Sequence, residues 1–158
     1  MPEFTRTQTM SQENLQTDDL DRRIITALSA DSRRSYADVA GEVGMSTAAV
    51  HERVRKMVER GVIERFSLRV VPEAVGLHFT AFVAVRNDGG AHCRDIAPRL
   101  SEIPEVLELH SVAGEHDFLA KIRCTHPRAL EEVLYKIKAI PGVARTTSTV
   151  VLNTEFER

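Results

Sequence analysis

The chain has no tryptophan, only two tyrosines and two cysteines, and no surplus of positive charge. Each shortage excludes something. Cys93 and Cys124 lie far apart and outside any C-x-x-C spacing, which argues against a metal knuckle or a redox pair. It leaves two small buried residues of a reducing compartment as the expectation. A net charge of −2 rules out a molecule-wide attraction for polyanions, so any nucleic acid must be met by a local basic surface. No apolar run approaches the roughly 18 residues of a membrane span, and no short apolar core follows the start as in a secretory leader. A cytoplasmic protein is expected. Phosphate loops of the G-x-x-x-x-G-K-[ST] and G-x-G-x-x-G types are missing, as is any recognisable nucleophile motif. His110, His116 and Asp117 are not at a compact ligand spacing, so neither a metal nor another cofactor is expected.

What is present is an ordinary globular composition, 42% hydrophobic and 28% charged over 158 residues, enough for one domain or two small ones. Residues 1–17 are polar and without period and read as a flexible tail. Order should begin at Asp18-Asp19, whose charge suits a helix N-terminus. Leu20, Ile24, Ile25 and Leu28 then recur at helical spacing. Ser35, with Asp38 three residues on, should open a second helix that buries Val39, Ala40 and Val43 and stops at Gly44. Ser46 should cap a third helix with Val50, Val54, Met57 and Val58 inward. These three helices occupy 18–64. Residues 65–77 read as a linker containing strand, through Phe66–Val71, with Pro72 and Gly76 as punctuation.

From 78 to 158 the pattern is strand, helix, strand pair, helix, strand. The strands are 79–86, 106–114, 117–124 and 144–153. Cys93, Ile96, Ala97 and Leu100 mark one helix, and Leu130, Val133, Leu134 and Ile137 the other. That order predicts a ferredoxin-like βαββαβ domain, one antiparallel sheet with both helices on one face. The fold class is α+β. In the first strand Phe79, Ala81, Val83 and Val85 alternate with a second apolar set, Phe82 and Ala84. A sheet that is apolar on both faces needs a second cover. No spare apolar loop is evident in the chain, so a second copy is the simplest one.

Ala40, Gly44 and Val50 stand at relative positions 0, +4 and +10, which suits a helix-turn-helix. The small residue admits close helix contact, the glycine a left-handed turn, and the β-branched residue packs the helices together. With Val50, Val54 and Met57 inward, the third helix shows Thr47, Ala48, His51, Glu52, Arg55 and Lys56. Small residues beside Ser46 permit close approach to DNA, and His51 and Arg55 can reach base edges or phosphates. Arg53, Arg60 and Arg65 are candidates for the DNA backbone. A merely solvated helix, with Glu52 and Lys56 as an i,i+4 pair, is the competing account. Charge alone favours it; the preceding helix, turn glycine and small N-terminal residues favour DNA.

The segments LDRRIITALSADSR, YADVAGEVGMSTAAVHERVRKMVERGVI, PEAVG, SVAGEHDF and IPGVARTTSTVVLNT together resemble the Lrp/AsnC, or feast/famine, family of prokaryotic transcription regulators. The resemblance covers nearly all of the chain after the tail. It implies a winged-type DNA-binding helix-turn-helix joined to an effector-binding ferredoxin-like domain. It also implies dimers that associate further into tetramers or octamers. In that family the turn matching Gly114-Glu115-His116-Asp117 helps form a small-molecule site between subunits, with polar groups from positions matching Thr146 and Ser148. An amino-acid effector is the implied ligand. An open glycine turn offers amides to its carboxylate, and Asp117 an acceptor to its ammonium group. The residues by themselves fit an ordinary hairpin turn somewhat better, and the resemblance tips the reading toward a site. His116 departs from the family pattern, where a bulky or aromatic residue is common, and leaves the effector's identity open. Siroheme decarboxylases resemble the same family, so an enzyme is the alternative of a different class. An architectural nucleoid protein is another.

Overall fold

A computed structural model describes residues 15–90 and 92–157; most of the expected tail lies outside them. The chain divides into two compact units between Leu68 and Arg69.

The first unit is three helices: α1 (Asp19–Ala30), α2 (Tyr36–Val43) and α3 (Thr47–Glu59). Each is near or below the length at which an isolated helix is even marginal, so caps and shared packing must hold them. Asp18 and Asp21 form a reciprocal capping box at α1, the Asp18 side chain accepting from the Asp21 amide at 2.7 Å. Ser35 caps α2 and hydrogen-bonds the Asp38 side chain at 2.6 Å. The helices share one core of Ile24, Ala27, Leu28, Val39, Ala40, Val43, Val50, Val54 and Met57. Removing such side chains from water is worth about 1.5–3 kcal/mol for each of the larger ones. Val58, expected on the same stripe, is instead 44% exposed, because it lies one residue, about 100° of helix, beyond Met57.

The linker differs from expectation. No residue from Val62 to Val71 lies in a strand. An extended segment becomes a strand only by pairing, and no strand pairs with this one among the described residues. Leu68 and Val71 are left exposed. Pro72–Val75 then forms a single 3-10 turn closed by Gly76 at φ 81°.

The second unit runs β1 (Phe79–Asn87), α4 (Cys93–Ser101), β2 (Val106–Ser111), β3 (Phe118–Cys124), α5 (Pro127–Lys138) and β4 (Val143–Val150). Its sheet is antiparallel with order β2-β3-β1-β4, the ferredoxin-like arrangement. β2 and β4 are shorter than the sequence suggested. Alternation sets the two faces. Ala81, Val83 and Val85 of β1 and Phe118, Ala120, Ile122 and Cys124 of β3 pack with Ile96, Leu100, Val133 and Ile137 of the two helices. Cys124 is therefore buried as expected, and burial pushes its thiol pKa up; Cys93, at the start of α4, is exposed instead.

Opposite the helices lie Thr80, Phe82 and Ala84 of β1 and Leu119, Lys121 and Arg123 of β3. This face has a cover of its own. After β4 the chain continues as a strap, 151–157, whose Glu157 pairs with Lys121 and Arg123 and whose residues line a cavity with Thr80 and Phe82. The strap was hidden in the sequence because only Val151, Leu152 and Phe156 mark it as apolar, without period.

Candidate DNA-reading helix and effector turn

The helix-turn-helix is built from its ends. Gly44 closes α2 in the left-handed region at φ 75°, a conformation that costs a side chain strain. Ser46 then caps α3, its hydroxyl accepting from the Ala49 amide at 3.2 Å. With Val50, Val54 and Met57 buried, Ser46, Thr47, Ala48, His51, Arg55 and Lys56 are all exposed. The sequence stripe thus assigned the outward face. The ring of Tyr36 meets His51 edge-on, with centroids 5.6 Å apart, and steadies it near the N-terminal half of α3.

The two arginines of this helix have different fates. Arg53, a candidate for the DNA backbone, turns toward α1 and donates to Asp18 and to the buried Asp21, each at 2.7 Å. Those carboxylates raise its pKa; the Asp21 amide first, and Arg53 second, hold that of Asp18 below the ordinary carboxylate value. Arg53 therefore ties α3 to the capping box of α1 in the free protein. Arg55 points outward but between two carboxylates, meeting Glu52 through Nε and Nη2 at 2.9 and 2.6 Å, and Glu59 one turn on. The Arg55 guanidinium, with Lys56 at 3.5 Å, depresses the Glu52 pKa from an ordinary 4.5 to about 2. The expected Glu52–Lys56 pair exists, subordinate to Arg55. Arg60 donates to the Gln16 carbonyl.

Sequence reasoning missed Arg23, which donates to the Glu42 carbonyl at 2.8 Å and so satisfies the C-terminal end of α2. It also missed Asp21 as the inner partner of Arg53. The spacing Arg55–Glu59 could have flagged Glu59; contacts between helices leave no such local trace.

The effector turn sits at one end of the sheet. Gly114 adopts φ 145°, open to glycine, with nothing near where a Cβ would stand. Glu115 is exposed, His116 and Asp117 half-buried. The Asp117 amide donates to the Val85 carbonyl at 3.0 Å, and one carboxylate oxygen, Oδ2, accepts from the Asn87 amide at 2.7 Å. Asp117 thus fastens the end of β1, where the ladder to β3 stops. Asn87, thirty positions away in sequence, gave no sign of this. Thr146 pairs with Val85 and Ser148 with Val83, so both lie on the helix side of edge strand β4, one strand beyond the Asp117 contact. Thr146 is half-buried and Ser148 exposed. No group of three or more His, Cys, Asp or Glu among the described residues is arranged to hold a metal ion. No described helix is long and apolar enough to cross a membrane.

Known proteins match both units. Residues 18–58 match the AsnC-type helix-turn-helix domain and residues 80–158 the Lrp/AsnC ligand binding domain. The HTH-type transcriptional regulator LrpA of Mycobacterium tuberculosis is 40% identical over 139 residues, 88% of this chain and 92% of its own. The structure of the feast or famine regulatory protein of that organism complexed with L-methionine superposes with a TM-score of 0.83 at 40% identity, covering 89% of this chain and 95% of the other. A transcriptional regulator of Neisseria meningitidis, also in complex with L-methionine, gives a TM-score of 0.82 at 25% identity over 90% and 94% of the two chains. With the helix-turn-helix geometry and the βαββαβ sheet, these likenesses leave a single assignment: the chain belongs to the Lrp/AsnC family of helix-turn-helix transcriptional regulators, proteins that regulate transcription and are not enzymes.

Proposed function

We propose that this regulator reads specific DNA sequences through the exposed face of α3, in the cytoplasm, and that an amino acid bound at the Gly114–Asp117 turn adjusts that binding. The observation that carries the DNA assignment is the separation of α3 into a buried stripe and an exposed run of Ser46, Thr47, Ala48 and His51 at its N-terminal end. Small residues there let the helix end approach a groove closely, and Arg55 and Lys56 follow one to two turns later. Glu52 is the group that holds Arg55 extended before contact, and it accepts from cytosine N4 if it enters the groove itself. Arg53 acts at a distance, by fixing the angle of α3 against α1.

The effector assignment rests on three supports: the open Gly114 backbone, the second carboxylate oxygen of Asp117, and the Thr146 hydroxyl near the same end of the sheet, with Ser148 farther along β4 opposite Val83. Glu115 and His116 complete the turn. Relatives that bind L-methionine give the ligand class. We place the site between subunits of a homo-oligomer, dimers that pair further. A ligand held across such a boundary binds one arrangement better than another, and this difference in affinity is what a switch requires.

A selection from randomised duplex DNA, followed by fluorescence anisotropy with and without each amino acid, tests both halves. A recovered consensus, with affinity changed by at least one amino acid, supports the reading. Equal binding to all duplexes would make the protein an architectural DNA coat instead.

A further inference from the structure

All three nitrogens of the Arg55 guanidinium are engaged in the free protein. Nε and Nη2 donate to the two oxygens of Glu52, at 2.9 and 2.6 Å, and Nη1 donates to Glu59. Two acceptors side by side on such a fork are also what guanine presents, through O6 and N7. Glu52 therefore occupies the place that a base would take. Exchanging it for guanine costs little in water, because exposed ion pairs are weak.

The cost arises on the DNA. Once Arg55 turns to a base, Glu52 is left as a lone carboxylate in a groove walled by phosphates, with water displaced. Lys56 meets it only at 3.5 Å. One turn earlier on the same row of α3 stands Ala48, too short to screen Glu52 from the groove. The DNA must then supply the donor that Arg55 withdrew. Among base edges in the major groove only cytosine N4 and adenine N6 donate; guanine and thymine present acceptors and oppose a carboxylate. Adenine sets the N7 acceptor beside its amine, which repels the second carboxylate oxygen, whereas cytosine has a C–H there. Glu52 and Arg55 are three residues apart, about 4.5 Å along the helix axis. Successive bases stand about 3.4 Å apart, so the two side chains address neighbouring base pairs.

We propose that Glu52 makes the reading of guanine by Arg55 conditional on the neighbouring base pair, which must offer a cytosine amine to the Glu52 carboxylate. The two side chains satisfy each other in the free protein and exchange that pairing for a guanine and a cytosine on the cognate duplex. A duplex with the guanine alone repays Arg55 and leaves Glu52 repelled. Glu52 is thus a specificity-determining residue that acts as much by rejecting wrong neighbours as by accepting the right one. This inference rests on the reading of α3 as the DNA-reading helix.

Selection from randomised duplex DNA with the full-length protein, its Arg55→Ala, Glu52→Gln and Glu59→Gln variants in parallel, provides the test. Arg55→Ala should lose the preference for a guanine and so locate it. Glu52→Gln should change the preference at the adjacent base pair from cytosine to adenine, because a glutamine amide matches adenine N6 and N7. On a duplex carrying that adenine, fluorescence anisotropy should show Glu52→Gln binding about tenfold more tightly than the unaltered protein. Glu59 lies one turn farther from the N-terminal end of α3 that enters the groove. Glu59→Gln should therefore shift affinity for all duplexes by a similar factor and leave the base preferences in place. Base preferences in Glu52→Gln that are unchanged, or altered only away from the pair beside the Arg55 guanine, would overturn the proposal. So would an Arg55→Ala variant that keeps every guanine. If the unaltered protein recovers no preferred sequence at all, the sequence-reading role of α3 falls first and this inference falls with it.

Discussion

The outer face of α3 and the turn at Gly114–Asp117 are both surface features, yet they are built in opposite ways. On α3, function and support sit on one element and sort by angle: Val50, Val54 and Met57 go in, Thr47, His51 and Arg55 go out. At the turn the proposed effector site gives a single residue both tasks. Asp117 fastens Asn87 with one oxygen and has the other to offer a ligand. A helix face can therefore change its chemistry without losing its place, while the turn cannot lose Asp117 without loosening the strand end that positions it. The same lesson separates Arg53 from Arg55, two residues apart on α3, one structural and one outward.

Perturbations that distinguish support from display should follow this division. The largest effect is expected on assembly. Phe82 is 38% exposed on the sheet face opposite the helices, beside the strap. Phe82→Asp places an unpaired charge where a second copy is proposed to pack, which a stable dimer cannot accept cheaply. Light scattering should show dissociation or aggregation; a folded variant of unchanged mass would remove this face from the interface. Next comes Arg53→Ala, which strands the buried Asp21 carboxylate without its cation. We expect a loss of about 2 kcal/mol in the helical unit, read by urea unfolding, with weakened DNA binding as a consequence of that loss. A variant as stable as the original, yet poor in DNA binding, would return Arg53 to the DNA contacts.

Asp117→Ala should cost roughly 1 kcal/mol through the lost Asn87 hydrogen bond and abolish the amino-acid response of the assembly. A wild-type response would remove Asp117 from the effector site. The smallest effect concerns Glu52. Its pKa falls from 4.5 to about 2 because Arg55 and Lys56 favour the carboxylate. A depressed folded-state value means that its favourable contribution is complete above about pH 4.5 and is lost as the pH falls toward 2. A carboxyl titration by NMR should therefore give Glu52 a midpoint well below the ordinary glutamate value of 4.5. A midpoint near 4.5 would mean that Arg55 is not held in the free protein.

The parts legible in the sequence were those with a period or a cap. The Val50–Val54–Met57 stripe, Ser35, Ser46 and Gly44 placed two helices and their turn, and alternation in Phe79–Val85 placed the central strand and both its faces. Features made by distant partners were silent. Nothing near Arg53 announces Asp18 and Asp21, nothing near Asp117 announces Asn87, and nothing in 151–157 announces a strap over Lys121 and Arg123. The linker erred in the other direction: Phe66–Val71 has strand composition, but β-propensity describes a residue's fit to a pleated surface and supplies no neighbour to pair with. Thr146 and Ser148 were correctly put on one face, yet which face became clear only from their register with Val85 and Val83.

The central claim is that α3 displays Arg55 to DNA while Arg53 holds the helix in place. It is tested most directly by measuring Arg55→Ala against the selected duplex over a series of salt concentrations, alongside its urea stability. The account predicts an affinity loss of about 1–3 kcal/mol with unfolding stability close to the original, because the exposed pairs with Glu52 and Glu59 contribute little to the fold. Unchanged affinity across the whole salt series, with the fold intact, would contradict it.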